Sequence, residues 1–425
     1  MPDTAGLAVG PAVEPSSRRW PNGVRFAVLL FAATAALNLS DYMSRYVVVA
    51  LFGDLQREWS LSNAQLGALV RLVAIAVGLL TVPVALLCER IGKARGLALM
   101  GLLWSVATFF SARAGSYDQM LASRLLVGIG EAAYSSVGLA FVLAYFPASM
   151  RASVSGAFLA GGPLGQILGI WSGATIAAAH GWRGAFSVMA VLGLALVLVF
   201  LVASRGTGRA EVIAVAERPR FLPVVRELLM TRAVGWAMLG SGLQLFAFAG
   251  FLAWTPRWLE LTYKLSSVDA AKGAAALVLV GTLGMPLCAI LADRLALSDE
   301  YGRARAATLF CAVTGLTFAA GFAMSPGPMQ LLLIGCGVFT GGAAVGPGSA
   351  ILAQRLRPAI HGVAFSCGTV ANNLMGQGPA PWVVGRVADA ASLSLALSLS
   401  SVASFLGCLA FFLSTIGRAA PSTEV

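Results

Sequence analysis

Between Val24 and Ile416 the chain runs in long apolar stretches, each broken by a short cluster of glycine, proline or charge. A helix rising about 1.5 Å per residue crosses a hydrocarbon core of roughly 30 Å in about twenty residues, so stretches of this length can span a bilayer. Read against turn and charge signals, they predict twelve spans at 24–50, 61–88, 94–112, 119–146, 152–179, 184–203, 233–259, 270–295, 304–324, 329–352, 362–384 and 391–416. The runs are too long for the strands of a membrane barrel, which leaves an all-α membrane protein.

Composition agrees with the pattern. The 425 residues are 58% hydrophobic and 11% charged, with a mean hydropathy of +0.83, and a soluble domain of that make-up would expose most of its apolar surface to water. The net charge of +11 does not mark a nucleic-acid binder, because the basic residues are scattered between apolar runs instead of forming one face. Topology accounts for them: with the N-terminus cytoplasmic, nineteen Lys and Arg fall inside and seven outside. Basic residues resist translocation, so both termini are expected in the cytoplasm of a multi-pass inner-membrane protein. The six cysteines lie in or beside apolar runs without CxxC or His-paired spacing and read as packing residues, not metal ligands.

The same reading divides the chain. Residues 1–23, rich in Pro, Ala, Gly and Ser, are expected to be a disordered cytoplasmic tail. Two six-helix halves follow at 24–203 and 233–416, joined by a basic cytoplasmic linker at 204–232, with a short cytoplasmic tail at 417–425. Within the linker, Phe221 to Met230 reads equally as a surface-lying amphipathic helix or as an extended tether. Trp59, Trp182, Trp254 and Trp258 lie toward span ends, where an interfacial belt would place them.

Charges deep inside the spans are few and all belong to the first half. They are the acids Asp41 and Glu131 and the bases Arg45, Arg71 and Arg124. A charge at bilayer depth costs at least ~2.5 kcal/mol on insertion scales, so such groups face a cavity or one another. Asp41 and Arg45 are four apart and Arg124 and Glu131 seven apart, which puts each pair near one helix face. Two roles fit: the charges neutralise one another and pin the bundle, or Glu131 or Asp41 exchanges a proton while Arg45, Arg124 or Arg71 holds an anionic substrate. Tyr134, Asn372, Asn373 and Gln377 are further candidates for the cavity wall, although interhelical hydrogen bonds explain amides in membranes equally well.

The halves repeat chemically. Cys88-Glu89-Arg90-Ile91-Gly92-Lys93-Ala94-Arg95 follows span two, and Ala292-Asp293-Arg294-Leu295 follows span eight. This placement resembles the loop motif of the major facilitator superfamily, G-x-L-a-D-R-x-G-R-R, with Ala85 for its first glycine and Glu89 for its aspartate. Gly161-Gly162-Pro163-Leu164-Gly165 is similar to that superfamily's glycine-proline motif in span five. Arg124 with Gly128-Ile129-Gly130-Glu131-Ala132-Ala133-Tyr134-Ser135 resembles the R…GIGEASYS signature of the spinster-like branch. Trp254-Thr255-Pro256 stands where that branch has W-x-P, and Gly376-Gln377-Gly378-Pro379-Ala380-Pro381 resembles its GDAPSP. The branch also has an adjacent Asp-Arg in span one; here Ser44 takes the aspartate's place, and Asp41 is the nearest carboxylate.

The resemblance implies a major facilitator fold and a secondary transporter, with Glu89, Arg90, Asp293 and Arg294 as cytoplasmic gating residues. It implies a lysolipid-like or other amphipathic anionic substrate, protons as coupling partner, membrane lipids around a monomer, and no cofactor. Organic-anion cation symporters share the GxxE element in span four and a pattern like Gly181-Trp182-Arg183 with Phe186, and a passive lipid scramblase or channel could use the same groove. The sequence carries no GxxxxGK[ST] and no HExxH, so neither nucleotide-driven pumping nor metalloprotease chemistry is expected.

Overall fold

The computed structural model describes residues 23–205, 207, 227, 228, 230–357 and 360–416. The expected N-tail, most of the linker with its proposed amphipathic helix, and the C-tail at 417–425 lie outside the described residues. The first half consists of α1 (Val24–Ala50), α2 (Phe52–Trp59), α3 (Asn63–Ile91), α4 (Lys93–Arg113), α5 (Tyr117–Glu131), α6 (Tyr134–Leu143), α7 (Arg151–Leu159) and α8 (Gly161–Ala203). The second consists of α9 (Arg232–Tyr263), α10 (Ser267–Ser298), α11 (Gly302–Ala323), α12 (Pro328–Gly341), α13 (Val345–Arg355), α14 (His361–Ala371), α15 (Pro379–Ala390) and α16 (Leu393–Ser414).

Among the described residues ten helices are long and apolar enough to cross a membrane. Two features separate this from the twelve expected spans. Spans five and six run together through α8, where Gly181 at φ +71° marks a sharp kink that a residue with a Cβ would adopt only under strain. Span eleven is divided into α14, a π-helical turn at Asn372–Gln377, and α15, so no single helix there reaches spanning length. Span four likewise breaks between α5 and α6, right after Glu131.

The tightest contact in the first half joins α1 to α8, and its cause is visible in sequence. Gly161, Gly165, Gly169 and Gly173 recur every fourth residue and so form one bare strip along α8. A Cβ on Gly169 would come within 2.7 Å of the Met43 carbonyl, one on Gly173 within 2.7 Å of Val47, and one on Gly165 would collide with the Leu39 carbonyl. The strip lets the α1 backbone lie directly on α8, and α1 carries Asp41 and Arg45.

The two halves are fused at one end and separate at the other. At the end bearing α2 and the start of α3, buried residues of both halves, among them Val47, Phe52, Leu66, Phe251, Trp254 and Trp258, form one continuous apolar core. Toward the opposite end the buried apolar residues of each half fall into clusters of their own. Trp254, Trp258 and Trp182 therefore do not form a lipid-facing belt: the first two are fully buried and Trp182 is nearly so. Trp254 packs on Phe52 of the other half at 5.0 Å and donates to the Pro381 carbonyl at 2.9 Å.

Polar groups close the sealed end further. Arg257 Nη2 donates to Gln56 Oε1 across the halves at 2.9 Å. The Asp389 carboxylate, at the end of α15, accepts from the backbone N–H of Asn63 at 2.7 Å and of Ala64 at 2.9 Å. These are free donors of the first turn of α3, where a negative charge also meets the positive end of the helix dipole. Beside them Glu58 accepts from Arg183 at 2.7 and 3.0 Å and from Trp182 Nε1 at 2.6 Å, tying α2 to the kink at Gly181.

Two predictions follow from this end. Asp389→Ala removes the cap across the halves and is expected to raise labelling of a cysteine placed at Ser62 by a membrane-impermeant maleimide; unchanged labelling means the cap does not help to hold the seal. Glu58 is held below the usual carboxylate value of 4.5 chiefly by the Arg183 hydrogen bonds, against a smaller effect of burial. A depressed folded-state pKa stabilises above the unfolded value and is lost as pH falls through the folded one. Glu58→Gln should thus lower the apparent Tm at neutral pH, by a difference that closes on acidification below pH 4.5; a pH-independent difference would refute this linkage.

Candidate functional site

The break after Glu131 and the α1–α8 contact together bring span one against span four. Arg45 Nε donates to Glu131 Oε2 at 2.8 Å, with the arginine side chain 12% exposed and the glutamate side chain fully buried. An ion pair in such a setting gains strongly from its short distance but loses the hydration of both ions, so its net contribution is small while the loss of one partner is severe. Asp41, one turn earlier on α1, is buried beside this pair. Neither Asp41 Oδ1 nor Glu131 Oε1 has a donor among the described residues.

Arg124 completes the cluster differently from expectation. It is fully buried, and it donates to the carbonyls of Ser44 at 3.1 Å and Arg45 at 2.8 Å instead of to Glu131. Its charge therefore rests on the backbone of α1 and fixes the turn that projects Arg45. Arg71, expected to share this cluster, is not in it: its guanidinium lies 4.8 Å over the Trp382 ring of the other half. Azimuth explains the difference, since the α3 face that carries Arg71 is the face turned toward α15.

The remaining candidates divide. Tyr134, expected on a cavity wall, sits inside the first-half core; it is fully buried, its hydroxyl donates to the Thr34 carbonyl at 3.1 Å, and its ring meets Trp104 edge-on at 4.9 Å. Asn373 is buried on the seam in the π-helical turn, where its Nδ2 donates to Thr369 O at 3.0 Å and its Oδ1 lacks a partner among the described residues. Asn372 and Gln377 flank it, both partly exposed. A π turn widens the helix and frees a carbonyl from the regular ladder, and such turns recur at functional sites. At the far ends, Asp293 pairs with Arg303 of α11 in its own half at 2.9 Å, while Glu89, Arg90 and Arg294 are exposed. Two contributors escaped the sequence reading: Trp382, one residue past the Gly-Pro motif, and Asn38, whose Oδ1 accepts from Ser135 at 3.0 Å beside the cluster. Periodicity alone carries no sign of either.

The family model of the Major Facilitator Superfamily matches residues 34–381, from span one through span eleven. The chain belongs to that superfamily. It is therefore a transporter and not an enzyme, and its curated relatives include spinster proteins. It is 26% identical to the zebrafish Sphingosine-1-phosphate transporter SPNS2 over 85% of this chain and 76% of the relative, and 29% identical to the zebrafish Protein spinster homolog 3 over 64% and 58%. It is also 26% identical to the Probable L-galactonate transporter of Escherichia coli K12 over 91% of this chain and 88% of that one. A solved bacterial homologue of the human lysosomal transporter Spinster, inward-facing and occupied, superposes with a TM-score of 0.82 at 16% identity, covering 94% of this chain and all of the other; its fold is the same.

The ion pair yields a double-mutant test. Arg45→Met alone or Glu131→Leu alone should destabilise by about 3–5 kcal/mol by stranding a buried charge, whereas the double variant should recover most of that loss. Thermal unfolding in one detergent measures all four proteins, and additive losses would show that the two side chains are not coupled.

Proposed function

We propose that this protein is a proton-coupled secondary transporter of an anionic, amphipathic substrate, working as a monomer by alternating access in the cell's inner membrane. The observation that carries the reading is the buried Arg45–Glu131 ion pair, with the buried Asp41 one turn from Arg45 and with Asp41 Oδ1 and Glu131 Oε1 both lacking a donor among the described residues. A proton seated between the two carboxyls supplies the donor that both lack, and it weakens the hold of Glu131 on Arg45. The freed guanidinium then binds the acid group of the substrate, while Arg124 keeps the α1 turn in place. In the present conformation Asp41, Arg124 and Glu131 are sealed from solvent, so exchange requires the halves to rock. Protons are the energy source, and no cofactor takes part.

The substrate class follows from chemistry common to two relatives: sphingosine 1-phosphate and L-galactonate both present an anionic group on a hydroxylated skeleton. The second half offers no charge away from its helix ends and provides an apolar wall, which favours a lipid-like tail. The coverage of the L-galactonate relative, together with Gly181-Trp182-Arg183, favours the second reading, an organic-anion symporter. The excess of basic residues at the end bearing Glu89-Arg90 and Asp293-Arg294 supports cytoplasmic termini, with the sealed end outward. On that topology Glu89, Arg90, Asp293 and Arg294 sit at the open cytoplasmic mouth, where they would close the inner gate in the opposite state.

Proteoliposomes loaded at one pH and diluted into another, with labelled L-galactonate and sphingosine 1-phosphate as probes, test the proposal. Wild type should accumulate a probe above equilibrium, and Glu131→Gln should lose gradient-driven accumulation at least tenfold. Full accumulation by Glu131→Gln removes the coupling role, and equilibration without accumulation in wild type points to a passive scramblase or channel.

A further inference from the structure

The seam between the halves is lined on the α3 side by Gly67, Arg71, Ile75 and Gly78, spaced four, four and three residues apart and hence on one face. On each side of Arg71 the halves touch closely. Gly67 faces the Pro381 carbonyl at a separation no Cβ could share, Ile75 lies 3.0 Å from where a Cβ on Gly378 would stand, and Gly78 leaves 2.9 Å for the Asn373 side chain. Arg71 is the charged member of this face. It is half-buried, no carboxylate pairs with it among the described residues, and its counter-group is the Trp382 ring of the opposite half at 4.8 Å. Eight residues from the start of α3, its backbone lies about 12 Å below the sealed end.

A guanidinium placed in a closing seam with an aromatic face as its counterpart among the described residues is under-compensated. A cation–π contact is weaker than a bidentate, charge-assisted pair with a carboxylate or phosphate. Structural pinning of the seam would be served as well by an apolar residue, as Ile75 serves it one turn away. We propose that Arg71 is an outer anion subsite: when the seam parts, it takes the carboxylate or phosphate group of the substrate, and Trp382 occupies its place while the seam is shut. Because Trp382 belongs to the other half, bound anion and closed seam compete for the same guanidinium. The substrate reaches the Arg45 site only after leaving Arg71, which lets the outer end close behind it. The subsite rests on the anionic-substrate reading above.

Binding of L-galactonate and of sphingosine 1-phosphate to the full chain in lipid nanodiscs tests it, using wild type, Arg45→Ala, Arg71→Met, Arg71→Lys, Arg71→Gln and Trp382→Leu. Arg71→Met and Arg71→Gln should weaken the anion that wild type prefers at least tenfold, Arg71→Lys less than threefold, and Trp382→Leu should tighten it by removing the competitor. The choice between the two probes separates a lipid head from a free organic acid. Wild-type affinity in both neutral variants overturns the subsite, even where Arg45→Ala abolishes binding and so upholds the central site. No saturable binding of either anion to wild type overturns the anionic reading itself, and the subsite with it. Should Arg71→Met fail to fold, Arg71→Gln and Trp382→Leu decide the question between them.

Discussion

A charge placed in hydrocarbon must find its counter-charge inside the protein, and that constraint organises the first half of this molecule. Arg45 and Glu131 come from different spans, 86 residues apart in sequence, and meet at 2.8 Å in a nearly dry environment. Their approach depends on two unlike devices. The four-residue glycine strip of α8 brings the α1 backbone close enough to set its depth and rotation. Arg124 then grips two α1 carbonyls and fixes the turn from which Arg45 projects. Neither device is itself the site, yet a displacement of α1 by a single side chain's thickness would break the pair and strand both ions.

The same economy of small residues governs the junction between halves. Glycines and a widened turn allow α3 and α15 to touch along much of the sealed end, while apolar cores on the other side stay separate. The junction is held by one apolar core shared by both halves and, at its edge, by a carboxylate on a helix start and an arginine on a glutamine.

Much of this was legible along the chain. Apolar runs declared a helical membrane protein, since no other arrangement hides their backbone polar groups from lipid. Isolated charges declared which half holds the polar centre, since oil penalises every ion alike. The GIGE signature at 128–131 marks Glu131, and the glycines of span five mark a helix surface bare enough for close approach without saying which helix approaches it. Span ends were less legible, because a kink at Gly181 or a π turn at Asn372 changes the path of a helix without altering its hydropathy.

Partner choice belonged to the tertiary structure. Sequence spacing links groups on one helix, so it paired Arg124 with Glu131, whereas the fold gives Glu131 to Arg45 and sets Arg124 on backbone carbonyls. It placed Arg71 among the other charges inside the first-half spans, whereas rotation about α3 turns Arg71 to Trp382. It assigned four tryptophans to a lipid interface by their distance from span ends, whereas Trp254, Trp258 and Trp182 are buried in the core at the sealed end. Depth in the membrane is a one-dimensional property that a sequence carries; azimuth around each helix axis, and the helix it faces, are fixed only when all the spans pack at once.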